Sequence, residues 1–587
     1  MRLPSSHHHL GRLVVILALA MIVVVQFRGS SKNTMKFMDE EMQQALWNLM
    51  PTSSLVAGGG DKEEEGEVMR FTTTLSSTGT ATASIKDNDD DNTQGYDNYG
   101  NNKKEAEEAT TDAATSKEQK KQDKPFNIVV LYPDDWRHDT LGGLLPVVRT
   151  PFLNQLAREG IRFTHNMVTT SICWISRATF FTGQYCSRHK SYRLRQPVFY
   201  DTWANTSWPA LLQAAGYVVA HIGKWQYMNP NNNFVQTHLF NYSVLFEGKH
   251  SFTFNGQMVS AAEKTYLEVK QFLDQRTDQE QPFALTAAFY PPKAIGNSFE
   301  PGAQWFPQAS TVAKYYANEV IPRPYNETDA YSKLPYFFHV FERGGRSRWE
   351  ERFESDEQYQ TAMKHYYSLV TEVDEACQKI YDDLKQRNLL DNTMIIFTTD
   401  NGLFHAEHGL AGKWYPYQES IRVPLIIRDP RMPTHKVGTL NSDLTLNIDL
   451  HPTILDAAGL LERIPTTIQG RNIADLYMNN KEDADAVDTD ANDNKSNQNS
   501  DAASSKTPWR TDFLYEFPLD NGKTMPMSTA VVRKDLKYIY WPQFQYEQLF
   551  NLTEDPLELN DVLKNETYAH VLKGLQARHA DLLEHVK

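Results

Sequence analysis

The sequence predicts an α/β protein: a large mixed, mainly parallel central sheet flanked by helices, with a smaller C-terminal α+β subdomain that contains an antiparallel sheet. Two apolar runs that stop at acidic residues, helical segments between them, and short C-terminal strands predict this class. The runs are "NIVVLYPDD" at 127–135 and "NTMIIFTTDNG" at 392–402. Continuous branched apolar runs are typical of strands buried on both faces, as in parallel sheets.

Helices are predicted between the two runs. Thr150 and Pro151 before "FLNQLAREG" supply a cap, a first-turn proline and a closing glycine. The segment "YQTAMKHYYSLVTEVDEACQKIYDDLKQ" keeps apolar residues at alternating spacings of three and four, which places Cys377 in the core. Near the C-terminus, "TDFLYEF", "STAVVRKDLKYIYWP" and "YEQLFNL" read as antiparallel strands, and "AHVLKGLQARHADLLEHV" reads as a final helix.

Low-complexity stretches divide the 587 residues into segments. Segments rich in Asp, Asn, Ser and Thr bury too little apolar surface to offset chain entropy, so we expect them to be disordered. The expected organisation is an N-terminal signal segment at 1–32, a disordered stem at 33–124, a large catalytic-sized domain at 125–478, an insertion at 479–507 and a C-terminal subdomain at 508–587.

An apolar run near the N-terminus predicts a membrane-associated segment. It spans Leu13 to Phe27, with Arg2 and Arg12 before it and Arg28 and Lys32 after it. No small-x-small cleavage site follows, which favours an uncleaved signal anchor over a cleaved signal peptide. We therefore expect a single-pass type II membrane protein with a lumenal (Golgi) or extracellular domain, the alternative being secretion after signal cleavage.

The glycosylation sequons agree with the secretory pathway, whereas the cysteine count bears on the type of fold and the net charge bears on the partners. Three cysteines are too few for a disulfide-stapled fold. The net charge of −15 argues against a nucleic-acid partner. Six Asn-x-Ser/Thr glycosylation sequons are present, at Asn205, Asn241, Asn326, Asn494, Asn551 and Asn565.

Oxygen-bearing side chains follow both apolar runs. Asp134 and Asp135 end the first, and Asp400 and Asn401 end the second. Ligands gather outside the carboxyl ends of strands in α/β sheets, and an all-oxygen set suits Ca²⁺ or Mg²⁺ better than zinc. The alternative is that these residues only form turns after the strands.

Three cations beside small residues form a second set. They are Arg177 in "SICWISRATFFTG", Lys224 in "HIGKWQY" and Lys413 in "GLAGKWYPYQE". Fixed positive charges around a metal suit a sulfate or phosphate group. Taken singly, a lysine or arginine is more often a solvated surface charge than a ligand-binding group, so the interpretation depends on the three occurring together with the acidic residues.

The segment "CWISRATFFTG" at 173–183 resembles the signature of the type I sulfatases in the alkaline phosphatase superfamily, Cys/Ser-x-Pro/Ala-Ser-Arg-x-x-x-x-Thr-Gly. Further blocks resemble the family in family order, among them "NIVVLYPDDWRHDTLG", "AGYVVAHIGKW", "DNTMIIFTTDNGLFHAEHGLAGKWYPYQESIRVPLIIRDP" and "EQLFNLTEDPLELNDV". The resemblance runs from Asn127 to the C-terminus apart from the insertion. It implies an alkaline phosphatase/sulfatase-like fold and a sulfatase catalytic domain at 125–478.

The resemblance implies a chemistry for Cys173. A formylglycine-generating enzyme would oxidise it to formylglycine, whose hydrate supplies the nucleophile. One hydroxyl of the hydrate attacks sulfur and forms a covalent sulfo-enzyme, and the second then expels sulfate and regenerates the aldehyde.

The resemblance also implies a calcium site, with Mg²⁺ the less favoured ion. The implied ligands are Asp134, Asp135, Asp400, Asn401 and the modified residue 173. Arg177 would hold the hydrate, while Lys224 and Lys413 would bind sulfate oxygens and steady charge on the leaving alcohol.

The chain departs from the family pattern at three positions. Ile175 stands where Pro or Ala is usual, Gln226 replaces a histidine, and Lys293 replaces the histidine of a Pro-His pair. Lys293 would bind sulfate, or protonate a leaving group if burial lowers its pKa. His189, His405 and His408 are expected to be structural.

These expectations describe a sulfuric ester hydrolase that acts on a sulfated carbohydrate in the secretory pathway or at the cell surface. One alternative is a phosphodiesterase or phosphonate hydrolase of the same superfamily. Another is a non-catalytic pseudo-enzyme that binds sulfated glycans. The expected partners are the sulfated substrate, the formylglycine-generating enzyme and a membrane, with no nucleic acid.

Overall fold

The structure is a computed structural model that describes residues 69–72, 125–192, 200–226, 238–296, 304–325, 327–341, 344–478, 508–519 and 525–587. The expected signal anchor at 1–32, the stem apart from 69–72, and the insertion at 479–507 lie outside these ranges. Within them, no helix has both the length and the apolar character needed to span a bilayer. All described residues belong to one of the two compact units of the chain, Val68–Lys587.

The strands of the described ranges form one large sheet, one smaller sheet and two hairpins. In chain order they are β1 (Met69–Thr72), β2 (Asn127–Leu131), β3 (Ile161–Met167), β4 (Val218–Gly223), β5 (Tyr242–Leu245), β6 (Ser251–Phe254), β7 (Gln257–Ser260), β8 (Phe283–Ala288), β9 (Thr393–Thr398), β10 (Phe404–His405), β11 (Ala411–Gly412), β12 (Leu425–Arg428), β13 (Leu440–Leu446), β14 (Asp512–Phe517), β15 (Ser528–Arg533), β16 (Leu536–Trp541) and β17 (Tyr546–Asn551).

The large sheet is mixed and mainly parallel, as the sequence predicts. Its strand order is β1-β5-β4-β8-β2-β9-β12-β3-β13. Strands β5, β4, β8, β2 and β9 are parallel, whereas β12 runs antiparallel to both of its neighbours. Alternate residues of β2 enter different cores: Val129 and Leu131 pack on one face, and Ile128 and Val130 on the other.

Helices cover both faces of this sheet. The α-helices are α1 (Pro151–Glu159), α2 (Cys173–Thr182), α3 (Cys186–His189), α4 (Tyr200–Thr206), α5 (Trp208–Ala214), α6 (Ala261–Gln275), α7 (Ala309–Thr311), α8 (Glu327–Ser332), α9 (Tyr336–Val340), α10 (Gly344–Phe353), α11 (Asp356–Gln386), α12 (Gln418–Ile421), α13 (Leu450–Ala457) and α14 (Ala569–His585). A π-helical turn follows α7 at Val312–Tyr316. Short 3₁₀ helices lie at Leu390–Asn392, Glu407–Gly409, Thr434–Lys436, Asn447–Asp449, Leu461–Arg463, Ile473–Leu476, Pro542–Phe544 and Glu566–Tyr568.

Helix α11 confirms the long predicted helix. It begins at a capping box formed by Ser355 and Gln358, and it buries Cys377 completely. The predicted cap of α1 is wrong, because the Thr150 hydroxyl accepts a hydrogen bond from the Gly142 N–H (2.7 Å) instead. The first N–H groups of α1 are bound by Asp374 of α11, whose carboxylate accepts from Phe152 N at 3.0 Å.

The C-terminal strands form the predicted antiparallel sheet. Strands β14, β15, β16 and β17 pair in sequence order, each antiparallel to the next. Helix α14 packs its Leu575 against a small core with Val531 and Leu549 of this sheet. Phe513 and Trp541 belong to a different core, shared with the large domain, so the two sheets are joined through apolar contacts.

The ends of four adjacent parallel strands make the edge where chemistry can occur. Strands β4, β8, β2 and β9 are neighbours, and their carboxyl ends lie at one edge of the sheet. Gly223 closes β4 with φ +105°, and a Cβ there would lie 2.0 Å from the carbonyl oxygen of Ala288 at the end of β8. Only glycine fits this approach, and Lys224 follows directly.

Candidate active site

Each of the four central strands delivers a charged or amide side chain at its carboxyl end. Lys224 follows β4, and Lys293 comes shortly after β8. The residues after β2 and β9 are Asp134, Asp135, Asp400 and Asn401. The backbone N–H of Trp136 donates to the Asn401 carbonyl (3.0 Å), and the Thr399 hydroxyl donates to the Pro133 carbonyl (2.8 Å). These two hydrogen bonds connect the loops that carry the acidic residues.

Cys173 stands at the start of α2 and faces the acidic loops. Its Sγ lies 3.3 Å from Asp134 Oδ1 and 3.8 Å from Asp135 Oδ1. One candidate ligand atom from each of Asp134, Asp135, Cys173 and Asp400 lies within 4.8 Å of the others, and all four residues are buried. These residues could together hold a metal ion.

Asn401 completes the oxygen set. Its Nδ2 donates to Asp135 Oδ1 (2.6 Å) and to the Gly402 carbonyl (2.9 Å). Its Oδ1 is buried and accepts no hydrogen bond from any described residue. A buried carbonyl oxygen without a donor costs free energy, and a hard divalent cation beside the three carboxylates would satisfy it.

Two lysines lie against the Cys173 thiol. Lys413, which follows β11, places Nζ 2.7 Å from Sγ and also contacts the Asp135 carboxylate. Lys293 Nζ lies 3.1 Å from Sγ, 3.7 Å from Asp134 Oδ1 and 3.9 Å from Asp135 Oδ2. The thiol therefore sits between two ammonium groups and two carboxylates.

The other two predicted cations complete the cluster. Arg177, one turn along α2 from Cys173, donates from Nε to Asp400 Oδ2 (2.8 Å) and is completely buried. Lys224 contacts the Asp134 carboxylate and lies 3.9 Å from Asp400 Oδ2. All nine residues that the sequence singles out for catalysis or metal binding thus meet at one place.

The charges at this edge shift one another's pKa values. Burial would raise the pKa of Asp135, but Lys293 and Lys413 hold it below the ordinary value. Burial raises the pKa of the Cys173 thiol, and the same lysines oppose that shift. Burial lowers the pKa of Lys224 well below its ordinary value.

The condition under which Lys293 would act as a proton donor is not met. Burial alone would lower its pKa, but Asp135 and Cys173 outweigh burial and raise the pKa well above the ordinary value. Lys293 is therefore a charged group in this cluster. It is also the most exposed of the four cations, with 23% of its side chain accessible, so the cluster opens to solvent on the Lys293 side.

Two histidines that the sequence did not single out hold the lysine loops. His221 Nε2 donates to the Lys224 carbonyl (3.0 Å), which also accepts from Arg177 (3.2 Å). His250 Nε2 donates to the Lys293 carbonyl (2.8 Å). Burial lowers the pKa of His221 to about 3 and of His250 to about 4, so both are neutral. His221 lies inside "HIGKW", whereas His250 has no local signal.

The three residues that depart from the family pattern lie in different surroundings. Ile175 is completely buried and packs in the core shared with the C-terminal sheet. Gln226 has φ +68°, and its Oε1 is buried without a hydrogen-bond partner in the described part of the chain. Lys293 replaces a histidine directly beside the thiol.

The histidines that we expect to be structural, His189, His405 and His408, are buried and contact other side chains. His189 Nε2 is 3.1 Å from the Thr179 hydroxyl. His405 contacts the Tyr366 ring edge to face, and His408 stacks against Tyr417. Burial lowers the pKa values of all three.

Comparison with known proteins supplies further findings. The sequence profile of the Sulfatase family matches residues 126–460, more than half of the chain. An N-acetylglucosamine-6-O-sulfatase of Bacteroides thetaiotaomicron is 25% identical over 532 residues, which covers 78% of this chain and 86% of the relative. An extracellular sulfatase of Drosophila melanogaster is 26% identical over 60% of this chain, but the match covers only 31% of that relative's length.

Solved structures share the fold. A complex with D-glucosamine-2-N,6-O-disulfate superposes with a TM-score of 0.62 at 21% identity, covering 79% of this chain and 98% of the other. A phosphonate monoester hydrolase of Agrobacterium radiobacter gives a TM-score of 0.57 at 20% identity, covering 79% and 96%. These likenesses support the alkaline phosphatase/sulfatase-like fold.

Proposed function

We propose that this chain, which belongs to the sulfatase family and is a sulfatase, releases inorganic sulfate from a sulfated carbohydrate. The observation that carries the proposal is the environment of Cys173. Its Sγ lies 2.7 Å and 3.1 Å from the ammonium groups of Lys413 and Lys293, and it borders a buried oxygen cluster. This arrangement suits a nucleophile beside a cation site and an anionic ester group.

The carbohydrate substrate is supported by the relatives. The bacterial relative of which this chain spans 86% is an N-acetylglucosamine-6-O-sulfatase. The Drosophila relative is an extracellular sulfatase, which supports the secretory pathway. Three of the sequon asparagines, Asn205, Asn241 and Asn565, are exposed and thus accessible to glycosylation. The signal anchor at 13–27 stays part of this proposal.

Calcium is the cofactor that the oxygen set fits best. Asp134, Asp135, Asp400 and Asn401 would hold it, since they offer three carboxylates and a buried amide oxygen without a donor. A bound Ca²⁺ would supply Lewis-acid stabilisation of negative charge at this edge. Magnesium is the less favoured ion because it demands near-ideal octahedral geometry.

Cys173 is proposed as the precursor of formylglycine, which a formylglycine-generating enzyme would produce. The thiol Sγ then stands in for a hydroxyl of the aldehyde hydrate. Arg177, one helical turn away, would hold that group through its contact with Asp400. Lys413 and Lys293, which bracket the Sγ position, would bind oxygens of the sulfate group, and Lys224 would stabilise charge on the leaving alcohol.

Turnover measurements on one purified preparation test the function. We expect sulfate release from sulfated mono- and disaccharides and from an aryl sulfate, with far slower cleavage of aryl phosphate and phosphonate esters. A strong preference for phosphate or phosphonate would instead establish the phosphoryl-transfer alternative. Binding of sulfated glycan without any sulfate release would establish a pseudo-enzyme.

Mass spectrometry of the peptide that contains residue 173 tests the nucleophile. Active protein should carry an aldehyde or its hydrate at this position. An unmodified thiol in fully active protein would rule out the formylglycine mechanism. Because Ile175 occupies the position where Pro or Ala is usual, the modified fraction should be compared with that of Ile175→Ala.

A further inference from the structure

Helix α10 carries two arginines one turn apart, Arg348 and Arg352, which therefore share a helix face. Arg352 is 6% exposed, and its guanidinium stacks over the Trp305 ring at 5.0 Å. Its Nε is buried without a hydrogen-bond partner in the described ranges. Glu351 and Asp135 act on it electrostatically. Arg352 is thus a buried cation that makes no close ion pair within the described ranges.

Arg348 is half-buried on the same face. Its guanidinium lies over the Trp414 ring at 4.8 Å and donates to the Gly344 carbonyl (2.8 Å). It too has no ion pair within the described ranges. Within the described ranges, neither arginine therefore uses its positive charge in an ion pair.

Both arginines are linked to the lysines beside Cys173. Trp414 directly follows Lys413, and a Cβ on the preceding Gly412 would lie 3.6 Å from Arg348 Cδ. On the other side, the Trp305 indole under Arg352 donates to the carbonyl of Pro292 (2.9 Å).

Pro292 is the residue before Lys293, on the side where the cluster opens to solvent. The arginine pair therefore borders the mouth of the site.

An unpaired buried cation is costly, and the cost indicates a missing anion. Other buried or half-buried arginines of the described ranges follow the usual rule that a buried charge is paired: Arg177 contacts Asp400, Arg510 contacts Asp449, and Arg137 contacts Asp139. In contrast, burial and the neighbouring Arg348 lower the pKa of Arg352 to about 10, although the Glu351 and Asp135 carboxylates oppose this shift.

We propose that Arg348 and Arg352 form a second anion subsite, which binds a further sulfate or a carboxylate of the same glycan while the scissile sulfate lies at Lys293 and Lys413. This inference rests on the proposed function and narrows the substrate class to glycans with at least two anionic groups. Guanidinium groups bind both sulfate and carboxylate in bidentate geometry, so the experiment must separate the two.

The test compares three substrate classes in wild type, Arg348→Gln and Arg352→Gln. They are a monoanionic aryl sulfate, a disaccharide with two sulfates, and a disaccharide with one sulfate and one uronic carboxylate. Loss of a charge-assisted contact should reduce kcat/KM for a dianionic substrate by about tenfold to a hundredfold. The aryl sulfate should change by less than about threefold. Whichever dianionic class shows the larger loss identifies the anion.

Matched controls keep the result interpretable. Arg346→Gln removes an arginine of the same helix that stacks over Trp349 and donates to the Gly409 carbonyl, and it should leave all three rates unchanged. Arg352→Lys keeps the charge and should retain part of the activity on dianionic substrates if Arg352→Gln folds poorly. Thermal melting verifies folding of each variant.

Equal losses on the aryl sulfate and on both dianionic substrates would overturn the subsite, as would unchanged rates on both dianionic substrates. If the wild type releases sulfate from none of the three, the proposed function fails, and calorimetric titration of the disulfated disaccharide then decides the subsite. Binding that is lost in the Arg348→Gln/Arg352→Gln double variant supports it. Equal binding, or none by the wild type, overturns it.

Discussion

Two of the groups of buried charges in the described ranges differ in how their charges are used. At the edge of the large sheet, carboxylates and cations converge on the Cys173 thiol. Between the large domain and the C-terminal sheet, Lys537 forms an ion pair with Glu558 at 2.6 Å and donates to the Pro416 carbonyl at 2.7 Å. Glu558 also accepts from the Gln418 N–H (2.7 Å). In the second group, the two charges form an ion pair with each other and hydrogen bonds with the backbone.

Burial alone therefore does not mark an active site. Lys537 is completely buried, and so is Lys224 within the Cys173 cluster. What separates the groups is a nucleophile precursor at the centre, an amide oxygen of Asn401 left without a donor, and an opening through the partly exposed Lys293. The first group is arranged to meet a ligand, and the second is arranged to hold two sheets together.

Replacing Cys173, the precursor of the nucleophile, should give the largest effect on turnover and so distinguish the first group of charges most clearly from the second. Cys173→Ala removes the formylglycine precursor, so sulfate release should fall by at least about a thousandfold, with little change in melting temperature. The control is Cys377→Ala, which creates a cavity in the core on α11 and should lower stability without lowering kcat/KM. Turnover and thermal melting measure both. Retention of activity in Cys173→Ala would contradict the assignment of the first group of charges as the catalytic one.

Removing the divalent cation should have the next largest effect. Dialysis against a chelator should reduce turnover by at least about a hundredfold and lower the melting temperature, because a ligand that binds only the folded state stabilises it. Added Ca²⁺ should restore both better than Mg²⁺. In Asp134→Asn the melting temperature should respond much less to the chelator. A wild-type protein indifferent to the chelator would contradict the assignment of the oxygen set.

Breaking the second group should affect stability only. Lys537→Met leaves Glu558 buried without its partner, which should cost about 3–5 kcal/mol of unfolding free energy, measured by denaturant unfolding. Turnover at a temperature where the variant is folded should stay at the wild-type level. The double variant Lys537→Met/Glu558→Leu should recover part of the stability. A fall in kcat/KM as large as that from Cys173→Ala would show that the two groups are coupled.

The sequence predicted the strand ends because their signals are local. The apolar runs before Asp134 and Asp400 can be seen within nine residues, and the family resemblance supplied the adjacency of the two strands. Non-local contacts could not be predicted in this way. Asp374 rather than Thr150 serves the first N–H groups of α1 from 222 positions away, and the contact of His250 with the Lys293 carbonyl joins loops that no periodicity links.

The smallest expected effect concerns Glu419, which interacts electrostatically with Glu558 and Lys537 of the second group. Its Oε2 lies 3.8 Å from His408 Nε2. Burial, together with Glu407 and Glu558, raises the pKa of Glu419 from 4.5 to about 8. Between these pH values the unfolded chain releases the proton and the folded protein keeps it. This group's contribution to stability is therefore complete below about pH 4.5 and is lost as the pH rises towards 8, by up to about 1.4 kcal/mol per pH unit.

Glu419→Gln keeps a neutral side chain at every pH, so its unfolding free energy should fall less steeply between pH 5 and 8 than that of the wild type. Denaturant unfolding at several pH values measures the two slopes. Turnover of this variant relative to the wild type should not change with pH, because Glu419 interacts with the charge group that joins the two sheets and not with the Cys173 cluster. Equal slopes would show that Glu419 is ionised in the folded state, and its charge would then need a partner as close as the one Lys537 provides for Glu558.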